Sequence, residues 1–173
     1  MKKLFIAVVA AFIGFSANAQ LYVGGNIGLT SNADAKTTSF SLLPEVGYSL
    51  DDNMSFGAVV GFTSYAKKDN YTDTNFILQP YFRYTFLELG PVKVFADAQL
   101  QLDFWNNKIY VTDNTTNTTS GTNFGIGIAP GIAIPVSDNL SFVAHLGQFG
   151  YYNNTLMLGL NANNVLCGVY YSF

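Results

Sequence analysis

Apolar residues alternate with small or polar ones along most of this chain. The alternation resolves into eight segments of strand length: residues 21–30, 39–50, 54–65, 75–87, 92–105, 124–136, 140–147 and 165–173. A period of two marks a β-strand with one apolar face. The sixth segment shows it most cleanly, with Phe124, Ile126, Ile128, Ile132, Ile134 and Val136 opposite Gly125, Gly127, Ala129, Gly131 and Ala133. In the fifth, Val94, Ala96, Ala98, Leu100, Leu102 and Phe104 stand opposite Lys93, Asp97, Gln99, Gln101 and Asp103. Large residues therefore take one face of each strand and small, polar or charged ones the other. Strands of about 9–11 residues with this alternation suit a barrel that spans a membrane.

The connections alternate in length, and this sets the topology. Asp51-Asp52-Asn53, Glu88-Leu89-Gly90-Pro91 and Ser137-Asp138-Asn139 read as tight turns, while residues 31–38, 66–74, 106–121 and 148–164 read as longer polar loops. Short turns at one end and long loops at the other predict an up-and-down antiparallel barrel. An internal repeat supports the count. Pro44, Asp52, Asn53, Ser55 and Phe56 recur at the same spacing as Pro130, Asp138, Asn139, Ser141 and Phe142, and Pro80 marks a partial third copy. Proline cannot donate to a ladder and a closed barrel has no free edge, so bulges are expected at all three prolines. Within the longest loop, residues 108–112 are expected to extend the fifth strand and to offer an edge for β-augmentation. Residues 113–120 read as low-complexity coil.

Composition sharpens this picture. Lys2 and Lys3 precede an uncharged apolar stretch to Phe15, and Ala17-Asn18-Ala19 supplies small residues at a cleavage site. Residues 1–19 therefore read as a secretion signal, leaving 20–173 as one barrel domain. Without Lys2 and Lys3 six basic residues face eleven acidic ones, a net charge of about −5, and no basic stripe suits nucleic acid. The single cysteine, Cys167, lies on the apolar face; no internal disulfide can form and no Cys/His cluster suggests a metal. No cofactor is expected. Aromatics also sort by height: Tyr48, Phe56, Tyr84, Phe86, Phe142, Tyr171 and Phe173 near the short turns, Phe40, Phe62, Phe76, Phe104 and Phe124 near the long loops. Two such girdles match the two interfaces of a membrane. A soluble barrel of lipocalin type keeps its outer face polar, the inverse of the pattern here.

With the signal, the repeated proline-containing strands, the Asp-Asn turns and the ending Gly168-x-x-Tyr171-x-Phe173, the chain resembles the OmpX/OmpA-type eight-stranded barrels. These belong to the outer membrane protein β-barrel domain, or porin-family, group. The resemblance implies insertion into the outer membrane of a Gram-negative cell. It also implies that Gly168, Tyr171 and Phe173 are the signature read by the barrel-assembly machinery. The lipid bilayer is then an obligate partner, the protein a monomer, and the long loops face an extracellular partner.

The inward charges Glu45, Arg83, Lys93, Asp97 and Asp103 are the candidate site, with His145 inward by parity. Pairing Leu87 near Lys93 sets Arg83 opposite Asp97, and the inward Gly57 and Gly61 leave room for Arg83 to reach Glu45. The expectation is a buried Glu45–Arg83–Asp97 network with Lys93 at its edge, since the arginine fork can serve two carboxylates. Such charges neutralise one another inside a narrow barrel filled by side chains; an ion path is the other reading. His145 lacks a nucleophile in reach: Ser141, four residues along the strand, is roughly 13 Å away. The expected role is therefore a non-enzymatic surface barrel acting through its external loops, with a small diffusion channel as the alternative.

Overall fold

The computed structural model describes residues 21–32, 34, 36–68, 70–112, 115–160 and 166–173. The expected signal, 1–19, lies outside these residues, as do Val165, Asp113 and Asn114. The strands are β1 (Leu21–Asn32), β2 (Thr37–Ser49), β3 (Met54–Lys67), β4 (Tyr71–Leu89), β5 (Val92–Thr112), β6 (Thr115–Pro135), β7 (Leu140–His145), β8 (Gly147–Tyr152), β9 (Thr155–Leu160) and β10 (Leu166–Ser172). All pairings are antiparallel, and β1 joins β10 through Tyr22–Ser172 to Gly25–Val169. Strands β7 and β8 both pair with β6 and form successive halves of one stave; β9 pairs with β8 and β10 with β7. The result is the closed eight-stranded antiparallel barrel that the alternation predicts.

All three repeat prolines lie within strands, but only one meets a bulge. At Pro130 the seventh stave slips by one residue: Gly131 pairs with His145 while Ile128 pairs with Phe149. At Pro44 the ladder to β3 passes from Leu42–Phe62 to Glu45–Val59 without changing register. At Pro80 the ladder to β5 passes likewise from Leu78–Leu102 to Tyr81–Gln99. Each of these prolines keeps its pairing on the other side, with Gly25 and Ala58. Losing one donor there costs two rungs on one side, and the strand has no need to bulge. The β4–β5 irregularity falls instead between Thr85 and Leu87.

Strands also run further than the sequence pattern suggests. Glu88 and Leu89 stay in β4, paired with Lys93 and Val92, so the turn is only Gly90-Pro91, with Gly90 at φ 61°. Strands β5 and β6, each 21 residues, remain paired from Lys93–Ala133 up to Thr112–Thr115. Residues 115–120 are therefore strand rather than coil, because β-branched threonine fits a ladder even where composition reads as loop. The expected free edge moves too. Strand β5 is paired with β4 as far as Ile109, whereas among the described residues 115–123 of β6 pair only with β5. The long 148–164 loop is replaced in part by a hairpin of β8 and β9 around Asn153 and Asn154, both at positive φ. Asparagine tolerates that conformation, which a two-residue turn of type I′ requires.

The faces fall as the parity predicts. Ile27, Leu29, Ile126, Ile128 and Val169 are exposed on the outside, while Glu45, Arg83, Asp97, Gln99 and Asp103 are buried inside. Tyr48 departs from this: it shares the outward parity yet is buried, its ring 5.6 Å from Phe56.

Candidate functional site

Arg83 and Asp97 face each other across β4 and β5, and their side chains form a bidentate pair. Arg83 Nε donates to Asp97 Oδ1 at 2.7 Å and Nη2 to Oδ2 at 2.8 Å. Two parallel charge-assisted bonds fix both the distance and the plane of the guanidinium. Its faces are covered by aromatic rings, with Cζ 4.1 Å from the Phe95 centroid, 5.1 Å from Tyr81 and 5.4 Å from Tyr170. Arginine over a ring gains cation–π energy, and its guanidinium gives up less by desolvation than a lysine ammonium would. His145 Nε2 approaches Asp97 Oδ2 at 2.9 Å, and its ring meets Phe95 edge-on at 5.5 Å. It reaches there because the residue between them on β6 is Gly131, paired with both Phe95 and His145.

Glu45 joins by a different route from the one its spacing suggests. Arg83 Nη2 lies 3.6 Å from Glu45 Oε1, an ion-pair distance beyond good hydrogen bonding. Two tyrosines supply the hydrogen bonds: Tyr81 donates to Oε1 and Tyr170 to Oε2. Since Tyr81 gives its only proton to the carboxylate, the 2.5 Å contact between the Tyr22 and Tyr81 hydroxyls has Tyr22 as donor. Gly57 makes room for the Tyr81 ring and Gly61 for the Leu43 side chain, not for the arginine. A Cβ at Gly57 would meet Tyr81 Cζ at 2.6 Å, and at Gly61 it would meet Leu42 O at 2.8 Å, beside the Leu43 side chain. Gly47 lies under Tyr22, Gly24 under Tyr170 and Gly131 under Phe95 in the same manner. Among the described residues Phe95 is the most deeply buried side chain, at 1% exposure, and it clusters with Tyr22, Tyr81, Val143 and Tyr170.

Sequence reasoning found the three charges but passed over Tyr81, Phe95 and Tyr170. Their signal was present: each sits at inward parity, and each rests over a glycine on an adjacent strand. Two of the predicted charges stand elsewhere. Lys93 pairs with Glu88 at 3.1 Å, both side chains about half exposed, because the two-residue turn brings them side by side. Asp103 belongs to a second cluster nearer the loops, where it accepts from Tyr152 and from Gln101 Nε2 at 3.1 and 3.2 Å. Between the clusters Gln79 donates to Gln99 at 2.8 Å. At the seam, Gly168 packs against Asn26, Tyr171 stacks edge-on with Phe173 at 5.1 Å, and Phe173 N donates to Leu21 O at 2.9 Å. Among the described residues no group of three or more His, Cys, Asp or Glu could hold a metal ion.

A closed antiparallel barrel with large residues outside, small and polar ones inside and short turns at one end is a bacterial outer-membrane barrel. The chain belongs to the outer membrane protein beta-barrel domain family, whose profile matches residues 4–173, and it is an outer-membrane protein. It is 25% identical over 182 residues to an uncharacterized protein of Haemophilus influenzae, covering 94% of this chain and 97% of that one. Its fold is similar to that of a major outer membrane protein from Thermus thermophilus (TM-score 0.66, 16% identity, 91% of this chain and 100% of the other). It is also similar to Neisserial surface protein A (TM-score 0.53, 18% identity, 91% and 98%). A third likeness is to the N-terminal β-barrel domain of Pseudomonas aeruginosa OprF (TM-score 0.50, 16% identity, 90% and 98%). At these identities the structural likeness is one of fold.

Proposed function

We propose that this protein is a non-enzymatic structural barrel of the outer membrane, plugged inside by the Arg83 cluster and acting through its external strands. The observation that carries this reading is the stack of Phe95, Arg83 and Tyr81 across the barrel interior, with both carboxylates already committed to partners. A bore of eight strands is just wide enough for side chains to fill. His145 supports the absence of catalysis, since its Nε2 is directed at Asp97 rather than at a hydroxyl or thiol. The external contact surface is the β5–β6 ribbon, with residues 115–123 of β6 offering the edge to a partner strand. Gly168, Tyr171 and Phe173 serve insertion through the assembly machinery, and the barrel works as a monomer.

Single-channel recording in a planar bilayer tests the plug. The purified protein is expected to give no steady openings. Stable, ohmic steps from the wild-type barrel would reverse the reading in favour of a small diffusion channel.

A further inference from the structure

The outer surface carries a groove of about 410 Å³ across β3 to β6 at the loop end. Its composition is layered by strand register. Phe62, Phe76 and Phe104 form one cross-strand row on the lipid-facing side, and the Phe76 and Phe104 rings lie 6.3 Å apart. Two residues further along each strand, about 7 Å higher, come Thr74, Asn106 and Ser120, again directly paired and again lining the groove. The next row brings Lys108, between Thr72 and Thr118.

Charge is distributed one-sidedly above this groove. No lysine or arginine occurs between residues 21 and 35 or after Lys108, so every external cation, namely Lys36, Lys67, Lys68 and Lys108, belongs to the β2–β5 side. Lys68 N donates to Lys36 O at 3.0 Å, which sets two lysines level on neighbouring chain segments. Like charges opposed in this way repel. Among the described residues none of the four forms an ion pair within the chain.

We propose that this groove seats one phosphorylated glycolipid of the outer leaflet. The occupant follows from position and chemistry. The face is turned to lipid at the height where acyl chains give way to headgroups. The phenylalanine row suits the first acyl segment, and the hydroxyl and amide row suits saccharide hydroxyls. Lys108 and Lys68 suit a phosphate, as basic residues beside a membrane do for anionic headgroups. The site lies outside the barrel wall and is independent of whether the interior conducts.

The test uses delipidated mature protein in detergent. Native mass spectrometry counts bound lipids, and Trp105, the only tryptophan, which borders the groove from the inward side of β5 with its ring over Gly121, gives a second readout by fluorescence. The probes are bis-phosphorylated lipid A, the same lipid A stripped of phosphate, and phosphatidylglycerol. One phosphorylated lipid A is expected to bind, about tenfold more tightly than either alternative. K68Q/K108Q should erase the preference for the phosphorylated form, and Asn106→Ala should weaken both forms of lipid A while leaving phosphatidylglycerol unchanged. The proposal is overturned if phosphatidylglycerol binds as tightly as phosphorylated lipid A. It is equally overturned if K68Q/K108Q, shown folded by its heat-modifiable gel mobility, keeps the phosphate preference.

Discussion

The interior has two halves built from the same strands in different chemistry. Toward the turns, Tyr22, Glu45, Tyr81, Arg83, Phe95, Asp97, His145 and Tyr170 interlock, rings over glycines and charges over rings. Toward the loops, Gln101, Asp103, Asn123 and Tyr152 make shorter-range polar links, with Asn123 Nδ2 3.4 Å from the Tyr152 hydroxyl. In the first half each group serves several others, so removing one strands its partners. In the second the links form one open chain, Asn123 to Tyr152 to Asp103, and Asp103 keeps Gln101 when Tyr152 is removed. Coupling, rather than the number of polar groups, separates a half that holds the barrel shut from one that merely lines it.

Substitutions measure that difference. Arg83→Ala leaves Asp97 and Glu45 buried without their cation, and breaking a buried pair from one side costs about 3–5 kcal/mol. Equilibrium unfolding in urea should show a loss of that size or failure to insert, and an unchanged midpoint would dissolve the contrast between halves. Gly57→Ala is milder. The added methyl would sit 2.7 Å from Val46 O and against the Tyr81 ring, so the tyrosine must shift off Glu45. Overpacking of this kind costs about 1–3 kcal/mol, and thermal melting followed by tryptophan fluorescence should register it. Tyr152→Phe belongs to the other half. It deletes one donor while Asp103 keeps Gln101, and about 1 kcal/mol or less is expected. A loss as large as that of Arg83→Ala would show that the loop-side cluster is coupled as tightly as the other.

The faces of the barrel were legible because period-two alternation survives any uncertainty about strand ends. The Arg83–Asp97 pairing was legible as well, although by another register at the turn: Leu87 pairs with Val94 rather than Lys93, and the irregularity between Thr85 and Leu87 restores the register that sets Arg83 opposite Asp97. The route from Arg83 to Glu45 was not. A glycine at inward parity reads as space, and which side chain occupies it depends on the neighbouring strand's register, as Tyr81 over Gly57 shows. Interior tyrosines resemble interfacial ones in composition, so Tyr170 was hidden beside Tyr171. Strand ends were illegible for another reason. Residues 115–120, all threonine, asparagine and serine, have loop composition, and only the complete ladder with β5 makes them strand. Lys93 was misplaced because the turn is two residues rather than four, which hands it to Glu88.

The bond from Phe173 N to Leu21 O, beside the Tyr22–Ser172 pairing, has a consequence in time. These residues are about 150 positions apart, and loop-closure entropy makes so distant a pairing slow to form. Strand β1 cannot acquire its second neighbour until the last strand, β10, is present. Until then it keeps one edge open, and an open edge is a template for pairing with another chain. The last rung to form is the one that ends the vulnerability.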